Sequence, residues 1–301
     1  MCNIKFTCNW YSAPSVINIE LTNICSKSCW MCGRRKLEKD YPDIANFTKH
    51  MPLELVYKIL DQVPNGIIVQ FHNSGDPLCY NYLKKALTYR KDIIRCFNTN
   101  GKLLIEKANE IIDNMETLTI SVIENDSEGD KQYEIVKEFL KIKGDRKPFM
   151  IYRLLGDVGK LDSLKAHKEL EQYSSFTKLA DVLVQRQEKI DRWYKLSGII
   201  ATRILHSPEG SFNYTKKVTI PETGICQDLL LHIVINVEGK VSICVRFDPK
   251  GYGIIGDINK ETLFDIWNSE KRKYYIQEHL KGNRNCNELC KICHFYGIPK
   301  G

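Results

Sequence analysis

Between Ser15 and Leu155, short β-rich runs alternate with longer segments of helical period, and this alternation restricts the possible folds more than any other feature of the chain. The runs Val16–Leu21, Ile67–His72, Ile94–Asn98, Thr117–Val122 and Phe149–Leu154 are rich in β-branched and aromatic residues and read as strands. Between them, Pro52–Val63, Tyr80–Asp92, Leu103–Asn114 and Lys131–Lys143 repeat apolar residues at three- and four-residue steps, as helices with one buried face do. A helix around Gln187–Leu196 and a strand near Thr202–Leu205 complete a sixth unit. Such regular alternation predicts βα units around a parallel sheet, here an α/β fold built as a partial (β/α)6 barrel.

After Gly224 the character changes. His232–Val237 and Lys240–Val245 flank Glu238-Gly239 and read as a two-residue hairpin, followed by helical segments at Thr262–Trp267 and Glu270–Lys281 and a Cys-rich tail. A chain of 301 residues exceeds the ~100–200 residues usual for one domain. The expected division is a barrel domain over 1–223, with a short N-terminal extension, and a small hairpin-plus-helix domain over 224–301.

The segment Met1–Tyr11 lacks the charged start, apolar stretch and small-residue site of a secretory signal, and no run of ~18 apolar residues occurs. The expectation is a cytoplasmic protein without a membrane partner, in which thiols stay reduced and clustered cysteines read as metal ligands. Eight of the twelve cysteines fall between Cys25 and Cys32 or between Cys226 and Cys293. Cys2, Cys8, Cys79 and Cys96 stand singly and read as packed thiols. The net charge of +7 is spread among acidic residues without a long basic block, so nucleic acid is not an expected partner. Arg34-Arg35-Lys36, the densest basic run, reads as a solvated loop.

Cys25-Ser-Lys-Ser-Cys29-Trp-Met-Cys32 places three thiols in eight residues, directly after the first expected strand. Parallel sheets hold ligands at the carboxyl ends of their strands, where this triplet would lie. A four-iron cube binds one thiolate per iron, so three cysteines leave one iron open. A closed zinc site needs four ligands, and the nearest further candidates are Cys8 and His50. Zinc or chance clustering is the competing reading.

With this triplet in the loop after the first strand of a partial barrel, the chain resembles the radical S-adenosylmethionine (SAM) enzymes. That resemblance implies a SAM-binding [4Fe-4S] cluster on Cys25, Cys29 and Cys32, with SAM as second cofactor and reductive cleavage to a 5′-deoxyadenosyl radical that abstracts a substrate hydrogen. The family usually has an aromatic residue before the third cysteine, where this chain has Met31, a soft side chain able to pack on adenine. Asn73-Ser74-Gly75-Asp76-Pro77-Leu78 is similar to the family's Gly-Gly-Glu-Pro segment, with Ser74 at the first Gly and Asp76 at the Glu. Gly75 and Asp76 would then meet the methionine moiety. Asn98-Thr99-Asn100-Gly101 resembles another family segment, and Ser121 and Arg153 resemble polar residues that contact ribose or carboxylate. A turn at Gly75-Asp76-Pro77, a cap at Asn100 and an ion pair at Arg153 are the structural alternatives.

Cys226, Cys244, Cys286, Cys290 and Cys293 resemble the auxiliary-cluster domain called SPASM, or its short form, twitch. Five cysteines suffice for one fully ligated auxiliary [4Fe-4S] cluster, with Cys226, Cys244, Cys290 and Cys293 as ligands and Cys286 spare or in place of Cys290. This pattern is similar to the twitch domain of the aminocyclitol dehydrogenase acting on 2-deoxy-scyllo-inosamine. Structural zinc is the alternative.

The resemblance implies an oxidoreductase acting on a sugar-like or aminocyclitol small molecule, with the auxiliary cluster receiving an electron and an external donor such as flavodoxin or ferredoxin supplying one. A peptide maturase is the alternative; only about two dozen residues precede Cys25, short for a leader-peptide-binding domain. A non-catalytic zinc or iron–sulfur protein binding nucleic acid is a third reading. No catalytic base is assigned; Glu20, Tyr152, Arg203 and His206 are candidates by their nearness to strand ends.

Overall fold

The computed structural model describes residues 13–45, 47–123, 126–155, 188–203, 225–245, 248, 250–291 and 293. The strands are β1 (Val16–Ile19), β2 (Ile68–Gln70), β3 (Ile94–Thr99), β4 (Thr117–Ile123), β5 (Phe149–Leu155), β6 (Ile199–Arg203), β7 (His232–Ile235), β8 (Lys240–Ser242) and β9 (Ile254–Asp257). The helices are α1 (Gly33–Asp40), α2 (Pro42–Ala45), α3 (Leu53–Leu60), α4 (Leu83–Tyr89), α5 (Ala108–Ile111), α6 (Gly129–Lys143), α7 (Gln227–Leu231), α8 (Leu263–Trp267), α9 (Glu270–Leu280) and α10 (Glu288–Lys291). Residues 188–194 are also helical. Among the described residues, no helix is long and apolar enough to cross a membrane.

The chain separates into two compact units, one comprising Met1–Phe97 with Ser207–Lys300 and the other Asn98–His206. The expected boundary at 223/224 lies outside the described residues. In the first unit the strand order is β3-β2-β1-β7-β8-β9. β1 pairs in parallel with both β2 and β7, so that Ile17 stands level with Val69 on one side and Ile233 on the other. These three, with Ile19, Phe71 and Ile235, are almost wholly buried. Each such side chain contributes about 1.5–3 kcal/mol through burial. Val56, Ile59 and Leu60 of α3 and Leu83, Ala86 and Leu87 of α4 are buried along one face each, matching the period read from the sequence.

β7, β8 and β9 are antiparallel. Their hairpin turn is one residue wider than expected: the Asn236 amide donates to Lys240 O at 2.9 Å, and Val237-Glu238-Gly239 form the loop. Gly239 takes φ +82°, a left-handed conformation that suits a three-residue hairpin loop. The Asn236 side chain accepts from the amides of Glu238 (3.0 Å) and Lys240 (2.9 Å), fixing the wider turn.

In the second unit, β4, β5 and β6 are parallel in the order β6-β5-β4. Trp193 anchors its core, with the rings of Tyr133 and Tyr152 at 5.3 and 5.4 Å. Arg192 donates to Asp130 at 2.8 Å and to the Gly129 carbonyl at 3.1 Å, tying helical residues 188–194 to the start of α6. In neither unit do the strands close on themselves, so the parallel arrangement is open, as a partial barrel requires.

Two local expectations are corrected. Arg34-Arg35-Lys36 belongs to helix α1, not to a loop; α1 buries no residue and shows no apolar stripe. Charge pairs along the helix, Arg34 with Glu38 and Lys36 with Asp40, favour it instead. The helix expected at Leu103–Asn114 is reduced to α5. Thr99 and Asn100 side chains accept the amides of Gly101 (3.0 Å) and Lys102 (2.8 Å), forming turns that delay helix entry, and Asp113 at φ +63° ends it.

Candidate metal centres

The chain reaches Cys25 through a segment held from several sides. Thr22 pairs with His50 in an antiparallel bridge, and its hydroxyl donates to Lys49 O (3.2 Å) and accepts from the Ile24 amide (3.1 Å). The Asn23 side chain donates to Phe47 O at 2.8 Å and accepts from the Lys49 amide at 2.7 Å. Arg34 Nη1 donates to Asn23 O and the Asp76 amide to Ile24 O, each at 2.8 Å. Gly75 packs so closely that a Cβ there would lie 2.3 Å from Thr22 O and 2.6 Å from Ile24 O. The loop following β2 therefore buttresses the backbone that launches the cysteine triplet.

Within the triplet, the Cys32 amide donates to Cys29 O at 3.2 Å, and Cys32 stands in extended backbone (ψ 131°) as the N-terminal cap of α1. Cys25, Cys29 and Cys32 are half-buried. Burial pushes the Cys25 thiol pKa up, and nearby Asp76 and Cys32 act in the same direction against Arg34. Such a sulfur ionises when a cation compensates it. With no carboxylate or imidazole in Cys25–Cys32, the all-sulfur donor set fits an iron–sulfur cluster. Among the described residues, no three His, Cys, Asp or Glu side chains gather about one point as a single metal ion would require. Met31 is half-buried in the same loop and Trp30 is exposed. Cys79 is half-buried, and its pKa is raised by burial and by the nearby charges of Asp76 and Cys25, a proximity its isolated place in the sequence did not reveal.

Asp76 is buried, and its Oδ1 accepts from the Leu78 amide at 2.9 Å, capping the short turn Pro77–Cys79. Glu20, a candidate base by position, is also buried and committed to backbone. Its Oε1 accepts from the Ser74 amide (2.9 Å) and Asn73 Nδ2 (3.4 Å), and its Oε2 from the Val237 amide (3.1 Å).

In the second unit, Ser121 and Arg153 stand directly opposite one another in the β4–β5 register. Both are half-buried, between buried neighbours on the other face. Gln132 of α6, not singled out from the sequence, donates from Nε2 to the carbonyls of Asn100 (2.7 Å) and Ser121 (2.9 Å). One buried amide thus ties together two segments that carry expected cofactor residues. The Tyr152 hydroxyl donates to Ser197 O at 2.8 Å, and burial raises its pKa, so it is fitted for packing rather than for proton uptake. The Arg203 side chain and His206 lie outside the described residues.

Cys226 caps α7 in extended backbone (ψ 130°). Half a turn later, Asp228 is buried, and Cys244 Sγ donates to its Oδ2 at 3.8 Å, which brings the two cysteine-bearing segments together. Arg272 of α9 holds the far end of α7 by donating from Nη2 to the carbonyls of Leu229 (2.9 Å) and Leu230 (3.2 Å). The Cys293 amide donates to Cys290 O at 3.2 Å in a tight turn. Burial, with the charges of Cys226, Cys293 and Cys286, pushes the Cys290 thiol up to about 12. A thiol raised by burial and by neighbouring sulfurs ionises when a cation compensates it, as a multi-iron cluster would.

Residues 226–294 match the SPASM family, an iron–sulfur cluster-binding domain, and this span contains Cys226, Cys244, Cys286, Cys290 and Cys293. No curated protein matches the chain significantly. Among solved structures, the chain is similar to anSMEcpe with bound AdoMet and Cp18Cys peptide, at 15% identity over 95% of this chain and 88% of that chain, with a TM-score of 0.59. It is similar to Streptococcus suis SuiB bound to S-adenosylmethionine, at 16% identity over 94% and 72% of the two chains, with a TM-score of 0.53. BtrN in complex with AdoMet and 2-DOIA gives 18% identity over 93% and 92%, with a TM-score of 0.50. These likenesses show a fold shared with proteins solved with AdoMet, and the domain match over residues 226–294 is to an iron–sulfur cluster-binding domain.

Proposed function

We propose that this chain is a radical SAM oxidoreductase with two iron–sulfur clusters. The observation that carries the reading is the pairing of a three-thiol loop after β1 with a SPASM match that spans the remaining cysteine cluster. When bound, the clusters and SAM supply one-electron chemistry: a deoxyadenosyl radical that abstracts a substrate hydrogen, and an acceptor for the electron left behind.

The protein's own work is to hold and orient. Cys25, Cys29 and Cys32 bind three irons, and the hydrogen bonds of Thr22, Asn23, Arg34 and Asp76 fix the loop from which they project. Gly75, Asp76, Met31, Asn100, Ser121 and Arg153 are the proposed SAM contacts. Cys226, Cys244, Cys290 and Cys293 are the proposed auxiliary ligands. Four protein ligands saturate that cluster, which suits electron transfer rather than substrate coordination.

For the substrate we propose a sugar-like or aminocyclitol molecule oxidised at a hydroxyl, a reading supported by the likeness to BtrN, solved with 2-DOIA across nearly its whole length. The likeness to anSMEcpe, solved with a peptide, favours peptide modification as the second reading. An electron donor such as flavodoxin or ferredoxin would complete the cycle.

Anaerobic reconstitution tests the class. About eight irons per chain and release of 5′-deoxyadenosine from SAM under reduction are expected. Two tightly held zincs without SAM cleavage would overturn it. The Cys25→Ala/Cys29→Ala/Cys32→Ala variant should lose cleavage and keep the auxiliary iron, whereas loss of all iron would contradict two independent sites.

A further inference from the structure

We propose that Asp228 tunes the auxiliary cluster: its carboxylate, fixed against the Cys244 sulfur, lowers that cluster's reduction potential. The inference rests on the reading of Cys226 and Cys244 as ligands and concerns a residue that the cysteine pattern does not include. Asp228 follows Cys226 by two residues in the first turn of α7, is 5% exposed, and lies 3.8 Å through Oδ2 from Cys244 Sγ. A single carboxylate therefore stands beside the segments that bear two of the four proposed ligands.

The ring of His232, the residue that follows α7, lies beside it. Asp228 Oδ1 lies 3.9 Å from His232 Nδ1, and the other ring nitrogen of His232 donates to Asn18 Oδ1. Asn18 Nδ2 in turn donates to the His72 carbonyl at 2.8 Å. His232 begins β7 and Asn18 lies in β1, strands that pair in register from Val16–His232 to Ile19–Ile235. Arg272 clamps the opposite end of α7. The carboxylate thus sits in the first turn of a short helix whose C-terminal carbonyls Arg272 holds.

The electrostatic consequence follows from burial. A cluster gains a negative charge on reduction, and a fixed carboxylate within a few ångströms of a ligand sulfur opposes that gain in a medium that screens poorly. Groups beside metal ligands shift the properties of the centre without binding it. A lowered potential lets the cluster pass its electron onward after it has been reduced, as an enzyme that oxidises its substrate and must return to its starting state requires.

The test uses the full chain with the Cys25→Ala/Cys29→Ala/Cys32→Ala background, so that only the auxiliary cluster is loaded, and follows its midpoint by redox titration with electron paramagnetic resonance. Adding Asp228→Asn keeps the shape and removes the charge; the midpoint should rise while iron content stays constant. Asp228→Ser should shift it in the same direction, which covers the case in which the amide variant fails to load. His232→Gln perturbs the same neighbourhood and keeps the carboxylate, so its midpoint should stay near that of the parent. An unchanged midpoint in the loaded Asp228 variants, or an equal rise in His232→Gln, would overturn the proposal. Cys244→Ser separates the proposal from its premise: it should lose or alter the auxiliary signal. If that signal and the iron are untouched, Cys244 is not a ligand and the proposal falls with that reading. A background variant that binds no iron would refute the two-site reading itself.

Discussion

The amide of Asp76 donates to the carbonyl of Ile24 at 2.8 Å, one residue before the first cysteine of the triplet. Through this bond, and through the close approach of Gly75, the loop after β2 sets where the loop after β1 can go. Gly75→Ala would bring a methyl group to 2.3 Å from Thr22 O, a clash with backbone that no side-chain rotation relieves. Overpacking of this kind costs about 1–3 kcal/mol. The expected outcome is loss of roughly half the iron and at least a tenfold fall in SAM cleavage, with the auxiliary iron retained. Iron analysis and deoxyadenosine release measure both.

Glu20 distinguishes a structural from a catalytic carboxylate. It accepts from the amides of Ser74 and Val237, at 2.9 and 3.1 Å. Glu20→Ala leaves both amides without this acceptor, at about 1–3 kcal/mol for each buried group. Glu20→Gln retains one amide-accepting oxygen and should cost clearly less. Denaturant unfolding should rank the variants native, Gln, Ala. If Glu20 were the base, the Gln variant would instead keep stability and lose turnover entirely.

The strands were legible because local periodicity encodes them: Thr117–Val122 was expected and Thr117–Ile123 is found. Helix α1 was not, because GRRKLEKD forms a helix on charge pairs without a buried stripe, and hydrophobic periodicity cannot register it. The cysteine motifs stood out by spacing, which is also local. The groups that secure them did not. Glu20 reaches partners 54 and 217 residues away, and Asp228 meets Cys244 only because a helix cap and the residues just beyond a hairpin strand converge. Gly75 reads from the sequence as a SAM contact, with a turn as the alternative, whereas the structure shows a need for glycine that neither reading includes: the backbone of another loop lies in the space of its missing Cβ.

Gln132 donates one amide to two carbonyls, those of Asn100 and Ser121. Gln132→Glu offers a carboxylate in place of that donor, facing two acceptors in a buried place. It should destabilise the protein more than Gln132→Leu, which only leaves the carbonyls unpaired at about 1–3 kcal/mol. The ordering at pH 7 should narrow on acidification, as the glutamate regains a proton to donate. Equal losses at all pH values would show that the shared amide is not what holds the two segments.

His232 makes stability depend on pH. Burial holds the imidazole down to about 4, from an ordinary 6.5. The folded protein therefore keeps this ring neutral at pH 5, where the unfolded chain takes up a proton. Unfolding is linked to proton binding, so the contribution of His232 is fully present above pH 6.5 and declines as pH falls toward 4. The full difference corresponds to roughly 3–4 kcal/mol. Thermal midpoints at a fixed scan rate should fall between pH 6.5 and 4.5 in the native protein, and fall less steeply in His232→Gln, which cannot take up the proton but can still donate to Asn18. Parallel slopes for the two proteins would place the acid sensitivity elsewhere in the chain.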